Sequence, residues 1–240
     1  MLSDDRHGFF DEKRGLEILH EDLQTLREMT RERFPDVPYF WLGHSMGSFL
    51  SRQYIARHGA GLAGAVIMGT GSQPAGTLKA GKALCSMIAR FRGWTYRSKL
   101  VNNMALGSYN KPFEPARTKN DWLTKDEAIV DAYNAQPWCT FMFTVNGYYT
   151  LFSSIEDAQD AKTVLKIPKD LPLLLVSGAL DPVGAAGKGV EQAFAAYRDA
   201  GIRDVKMKLY DGDRHEILNE LDREQVYEDL LQWMKGRMPV

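Results

Sequence analysis

Three side chains of this chain could carry out nucleophilic acyl transfer together: Ser45, Asp181 and His215. Ser45 is the centre of Gly43-His44-Ser45-Met46-Gly47. The apolar run 39–42 precedes it and the amphipathic segment 48–57 follows it. That order predicts a strand, a tight turn and a helix, with the serine on the turn. The glycines are expected because a Cβ two residues to either side of the serine would strike the neighbouring strand or helix. The hydroxyl then stands at the N-terminus of the following helix, where free N–H groups and the helix dipole favour developing negative charge. A serine hydroxyl is a weak nucleophile at neutral pH. An imidazole can take its proton, and a carboxylate can fix the tautomer of that imidazole and stabilise its protonated form.

Asp181 and His215 meet this requirement by position. Asp181 lies in Gly178-Ala179-Leu180-Asp181-Pro182, just after the apolar run 171–176. His215 lies in Asp211-Gly212-Asp213-Arg214-His215-Glu216, just after the strand-like run 205–210. Both are therefore expected in loops at the carboxyl ends of strands, where an open α/β sheet keeps its site. The chain order Ser, Asp, His agrees with that of the α/β-hydrolases. Asp211, Asp213 and Glu216 are acidic neighbours of His215, but they lie too close to it in sequence to replace Asp181. His7, His20 and His58 read as surface or helix residues. His44, inside the serine turn, is expected to line the substrate pocket, and the backbone N–H of Met46 is expected to be an oxyanion donor. The stretch 184–189, Gly-Ala-Ala-Gly-Lys-Gly, lacks the spacing of a phosphate loop.

The elements that must position these residues can be read in order. Leu16, Leu19, Leu23 and Leu26 recur at helical spacing and predict a helix over residues 15–34, ended by Pro35. A strand at 39–42, the serine turn, a helix, and a buried strand at 63–68 follow. This alternation predicts an α/β fold, a mostly parallel sheet flanked by helices. Between residues 72 and 164 the alternation stops. That stretch holds a predicted helix at 77–92, a Thr124/Glu127 capping box opening a second helix, and many scattered aromatics. It is expected to be an inserted, mainly helical lid (residues 72–164) on a core made of residues 1–71 and 165–240. Its aromatics and its Met87, Met104 and Met142 have two readings: a greasy wall facing the nucleophile, or the insertion's own core. The strand and helix alternation resumes at Leu171. Asp222, with Gln225, is expected to cap the last helix.

Bulk properties exclude some function classes. The 240 residues are 44% hydrophobic and 25% charged with a formal net charge of −1, so nothing attracts the chain to nucleic acid. No apolar run approaches the roughly 20 residues of a membrane span. The polar start, residues 1–6, does not read as a signal peptide. Cys85 and Cys139 read as free thiols of a reducing, cytoplasmic setting. No metal-ligand spacing is present.

With these residues in place the chain resembles the monoacylglycerol lipase and lysophospholipase branch of the α/β-hydrolases, grouped with serine aminopeptidase-like hydrolases. The carriers are Gly-His-Ser-Met-Gly at 43–47, Gly-Ser-Tyr-Asn-Lys-Pro-Phe at 107–113, Asp-Trp-Leu-Thr at 121–124, Ser-Gly-Ala-Leu-Asp-Pro-Val-Gly at 177–184 and Arg-His-Glu-Ile-Leu-Asn-Glu at 214–220. The resemblance implies cleavage of small lipid esters through an acyl-enzyme, a lid over the acyl pocket and no cofactor. It is compatible with transient contact with a membrane surface. Members of this branch normally carry several strands before the helix at 15–34, and a His-Gly loop there supplies the second oxyanion N–H. Those strands are expected to be missing from this chain. His7-Gly8 is not read as a substitute, and the strand at 39–42 is expected to be an exposed apolar edge. Two further readings stay open: a truncated, non-catalytic hydrolase-like domain, and an aminopeptidase whose Glu114, Asp121, Asp126 and Glu127 would hold an α-ammonium.

Overall fold

The computed structural model describes residues 6–238, so all but the last residue of the start read above for targeting, residues 1–6, lies outside the described residues. In chain order the elements are α1 (Gly15–Arg33), β1 (Phe40–His44), α2 (Met46–His58), β2 (Gly64–Met68), α3 (Ala75–Arg92), α4 (Lys99–Leu106), α5 (Glu127–Ala135), α6 (Pro137–Thr140), α7 (Val145–Gln159), α8 (Ala161–Leu165), β3 (Leu173–Gly178), α9 (Lys188–Asp199), β4 (Val205–Tyr210) and α10 (Arg223–Lys235). Among the described residues the strands form one parallel sheet in the order β1-β2-β3-β4. This is the α/β-hydrolase arrangement of sheet and flanking helices, with the short sheet expected from the sequence.

Period-two alternation on buried strands builds two cores. Ala65, Ile67, Leu173 and Leu175 face α2, α8 and α9, where Tyr54, Ile55, Val164, Val190 and Tyr197 meet them. Val66, Met68, Leu174 and Val176 face α10, where Val226, Leu230 and Trp233 meet them. Both faces are covered, so β2 and β3 are buried throughout and apolar but for Ser177. At the sheet's edge, β1 pairs with β2 alone, and Leu42 on it is exposed. At the other edge β4 turns Lys206 and Lys208 to solvent, which blunts it.

The chain from α3 to α8 joins β2 to β3, which lie side by side. Its α3 packs on α7, and α7 packs back on α2. A third core fills this insertion: Leu78, Cys85, Val101, Val145, Tyr148 and Phe152, joined by Phe49 from α2 and Val183 from the Asp181 loop. Most of its aromatics pack there, including Trp94, Tyr96 and Tyr149, whereas Met87, Met104 and Trp138 are exposed. Among the described residues no helix is long and apolar enough to cross a membrane.

Three local expectations are corrected. On α1 the buried side chains are His20 and Arg27, while Leu26 is exposed. His20 Nε2 bonds Gln53 Oε1 at 3.0 Å, and Arg27 reaches the carbonyls of His58 and Ala60 at the end of α2. The helix therefore docks on α2 through polar groups that hydrophobic periodicity does not register. Thr124 does not cap α5; Asp126 does, accepting from the N–H groups of Ala128 and Ile129. Asp222 stands at the N-cap of α10 without a side-chain capping bond.

Candidate functional site

The serine turn is built by β1, α2 and β2. Ser45 has φ 56° and ψ −124°, a left-handed backbone that a serine adopts only when its surroundings impose it. Those surroundings are visible. Ser45 N–H donates to the Met68 carbonyl at 3.1 Å, and the Ser45 carbonyl accepts from Ser48 N–H at 2.8 Å and from Ser48 Oγ at 2.6 Å. An ideal Cβ on Gly43 would overlap Ser51 Oγ and the Gly47 carbonyl oxygen, so that glycine is required by packing. Gly47 differs: a Cβ there meets nothing within 4 Å among the described residues. The expected steric role therefore holds for Gly43 and not for Gly47. Met46 is the first residue of α2, so its N–H has no partner inside the helix.

Asp181 and His215 meet across the ends of β3 and β4. His215 Nδ1 lies 2.9 Å from Asp181 Oδ2, with both side chains buried. The same carboxylate accepts from Ser177 Oγ at 3.0 Å and from Val183 N–H at 2.9 Å. A carboxylate can only accept from Nδ1, so Nδ1 carries the proton and Nε2 is left as the basic nitrogen. The loops approach this closely because Gly178 ends β3: a Cβ there would overlap the carbonyl oxygens of Asp213 and Arg214.

His44 connects the two halves. Its Nε2–H donates to the His215 carbonyl at 3.1 Å, and the two rings lie 4.6 Å apart. Burial, and then the nearby His215 ring, lower the pKa of His44 to about 4, so it is neutral at physiological pH. Both imidazoles sit over Gly69, where an ideal Cβ would stand 3.0 Å from His44 Nε2 and 3.1 Å from His215 Cε1. Gly69 directly follows Met68, the residue that anchors Ser45. Ser45, His44, His215 and Asp181 thus gather at the carboxyl edge of the sheet. His7-Gly8 is elsewhere: the Gly8 carbonyl accepts from Thr144 N–H and Oγ1 at the start of α7.

Tyr109 and Trp122, two of the insertion's scattered aromatics, stand by His215, although the sequence did not single them out. The Trp122 ring lies 4.9 Å from that of His215, and the Tyr109 ring lies 5.0 Å from Trp122. Burial, reinforced by the Asp181 charge, raises the Tyr109 hydroxyl to about 12. Both residues fall in stretches that carry the family resemblance, but nothing in their spacing points at a histidine 93 or more residues away.

Sheet, turn and paired loops define an α/β-hydrolase. More narrowly, the chain belongs to the serine aminopeptidase S33 family of hydrolases, whose family model matches residues 3–222. It is similar to the monoglyceride lipase of Mus musculus, 26% identical over 229 residues that make up 92% of this chain. The chain spans 66% of the length of that relative. It is also similar to the monoacylglycerol lipase of Mycolicibacterium smegmatis, 25% identical, covering 94% of this chain and 72% of that protein. Among solved structures, a thermostable carboxyl esterase from Bacillus coagulans in complex with glycerol superposes with a TM-score of 0.87 at 32% identity. That match covers 95% of this chain and 74% of the esterase. A soluble variant of the Saccharomyces cerevisiae monoglyceride lipase shares the fold, with a TM-score of 0.72 at 20% identity over 99% of this chain and 74% of the other.

Proposed function

We propose that the chain is a serine hydrolase that cleaves carboxylic esters of small lipids, of the monoacylglycerol or lysophospholipid type, through an acyl-enzyme. The observation that carries the reading is the buried Asp181–His215 pair at 2.9 Å beside the strained Ser45 turn. On this reading His215 Nε2 takes the Ser45 hydroxyl proton as Oγ attacks the ester carbonyl. The negative charge forming on the carbonyl oxygen meets the Met46 N–H. The tetrahedral adduct then expels the alcohol, which leaves with the proton from His215. Water, activated by the same imidazole, releases the fatty acid from Ser45. Asp181 holds the ring and stabilises the imidazolium as it forms. Residues 72–164 act as the lid over the acyl chain. The names of the relatives, two of them lipases for monoacylglycerols and one an esterase holding glycerol, support a glycerol-type leaving group.

Of the four acids weighed for an aminopeptidase, two are engaged elsewhere and two are exposed. Asp121 accepts from Arg117 N–H, Thr118 N–H and Thr118 Oγ1, Asp126 caps α5, and Glu114 and Glu127 are exposed. No cluster remains among them to hold an α-ammonium, so ester cleavage is the preferred reading.

A chromogenic short-chain ester and a fluorophosphonate probe test the proposal together. The expected result is turnover and covalent labelling of the native chain, both abolished by Ser45→Ala. Turnover that survives Ser45→Ala, or an unlabelled Ser45 in folded protein, overturns it.

A further inference from the structure

The stretch Asp121-Trp122-Leu123-Thr124-Lys125 belongs to the insertion, between α4 and α5. It is bonded within the insertion, Trp122 N–H to Asn110 Oδ1 at 2.8 Å among others, and it also bonds the loop that carries His215. His215 N–H points to the Trp122 carbonyl at 3.4 Å, and Glu216 N–H donates to the Leu123 carbonyl at 2.7 Å. Thr124 Oγ1 donates to the Asn219 carbonyl at 3.0 Å, and Lys125 N–H to Glu220 Oε2 at 3.0 Å. From the other side Arg214 donates through Nη1 to the carbonyls of Asp121 and Thr124.

Charge makes this clasp more than a set of backbone bonds. Asp213 and Glu220 flank His215 and are fully buried. Two buried carboxylates repel each other and lose hydration, which destabilises the loop unless a cation and hydrogen bonds compensate. Lys125 Nζ supplies the cation: it lies 2.6 Å from Asp213 Oδ1, 3.9 Å from Glu220 and 3.8 Å from the more exposed Asp222. Glu220 is completed by the N–H groups of Arg214 and Lys125. Above this brace, the Trp122 indole lies against the His215 ring, 4.9 Å away and tilted by 37°, while the His44 ring lies 4.6 Å away. Ring and loop are therefore fixed by Asp181, by His44 and by the insertion.

We propose that Trp122 and Lys125 are positioning residues for His215. Trp122 acts through its carbonyl and its indole face. Lys125 acts by neutralising the buried carboxylates that brace the loop. The inference rests on His215 as the general base and extends it. The insertion is part of the mount of the base, so opening of the lid must leave residues 121–125 in place.

The test compares the wild type with Lys125→Met, Lys125→Arg and Trp122→Leu. Three quantities are measured: the urea unfolding midpoint, kcat and KM on a soluble short-chain ester, and the His215 ring titration by NMR, with His215→Gln identifying the resonance. Folded Lys125→Met and Trp122→Leu should lose about tenfold or more in kcat, the scale expected when a reacting group is misplaced by a fraction of an ångström. KM should stay within about twofold. The His215 midpoint should move by about half a pH unit or more. Lys125→Arg should restore most of the kcat. Unchanged kcat and titration in a folded variant, or a loss confined to KM, overturns the proposal. Should Lys125→Met fail to fold, Trp122→Leu decides on the same criteria. A wild type without turnover or Ser45 labelling would remove the proposed function, and the His215 titrations would still decide this inference.

Discussion

Two glycines of one five-residue motif should respond in opposite ways to the same methyl group. At position 43 an added Cβ overlaps Ser51 Oγ and the Gly47 carbonyl oxygen and stands 2.9 Å from the Gly47 carbonyl carbon. Two of these atoms are backbone of the first turn of α2, and Ser51 Oγ is held by Trp41 Nε1 at 2.7 Å, so none can step aside alone. Carbon atoms rest about 3.5–4.0 Å apart, so α2 or β1 must move as a unit. Gly43→Ala should therefore cost at least about 3 kcal/mol, the upper end for overpacking. In a chain of this size that lowers Tm by about 6–12 °C. At position 47 the Cβ meets nothing within 4 Å among the described residues, and the residue lies in the first turn of α2. Gly47→Ala should then gain about 0.5–1 kcal/mol by relieving the entropy cost of a helical glycine. Thermal and urea denaturation of both variants read the difference directly. A tolerated Gly43→Ala, or a Gly47→Ala as damaging as its partner, would refute the packing argument.

Asp181→Asn should keep the fold and lower kcat by about 10³–10⁴, because an amide no longer fixes the Nδ1–H tautomer; steady-state kinetics with a melting curve checks both halves. The neutral His44 sets an acid limit. Its folded pKa of about 4 lies below the ordinary 6.5, so its contribution is complete above pH 6.5 and is lost as pH falls towards 4. That loss amounts to at most about 3.4 kcal/mol. Urea midpoints at pH 7 and pH 5 should diverge more for the wild type than for His44→Gln. Cys85 is buried, with its thiol pushed up to about 12, and Cys139 is exposed, so a thiol reagent should modify one cysteine in native protein and two in urea.

The site was legible where chemistry coincides with chain order. Ser45 and Asp181 each follow an apolar run of strand length and His215 follows an alternating one, and a parallel sheet gathers strand ends at one edge. The polar docking of α1 was not legible. Periodicity identifies apolar stripes, whereas His20 and Arg27 are buried by particular acceptors on α2, Gln53 Oε1 and two end-of-helix carbonyls. Thr124 failed as a cap for a related reason: its hydroxyl is engaged by Asn219, 95 residues on. Asp213 read as a loop acid because nothing local reveals that Lys125, 88 residues earlier, will pair with it. Long-range polar pairing leaves no period in a sequence.

The sheet is laid down in chain order, β1 then β2, β3 and β4, each new strand pairing with the one before. During synthesis the serine turn can form once β2 is in place, long before residue 215 exists. On the proposed reading the growing chain therefore holds its nucleophile without a base. The segment 121–125 that will grip the histidine loop also waits with its lysine unpaired. Both become complete when the last strand and the loop after it are added. On that reading, ester cleavage cannot begin before the loop that carries His215 has been added.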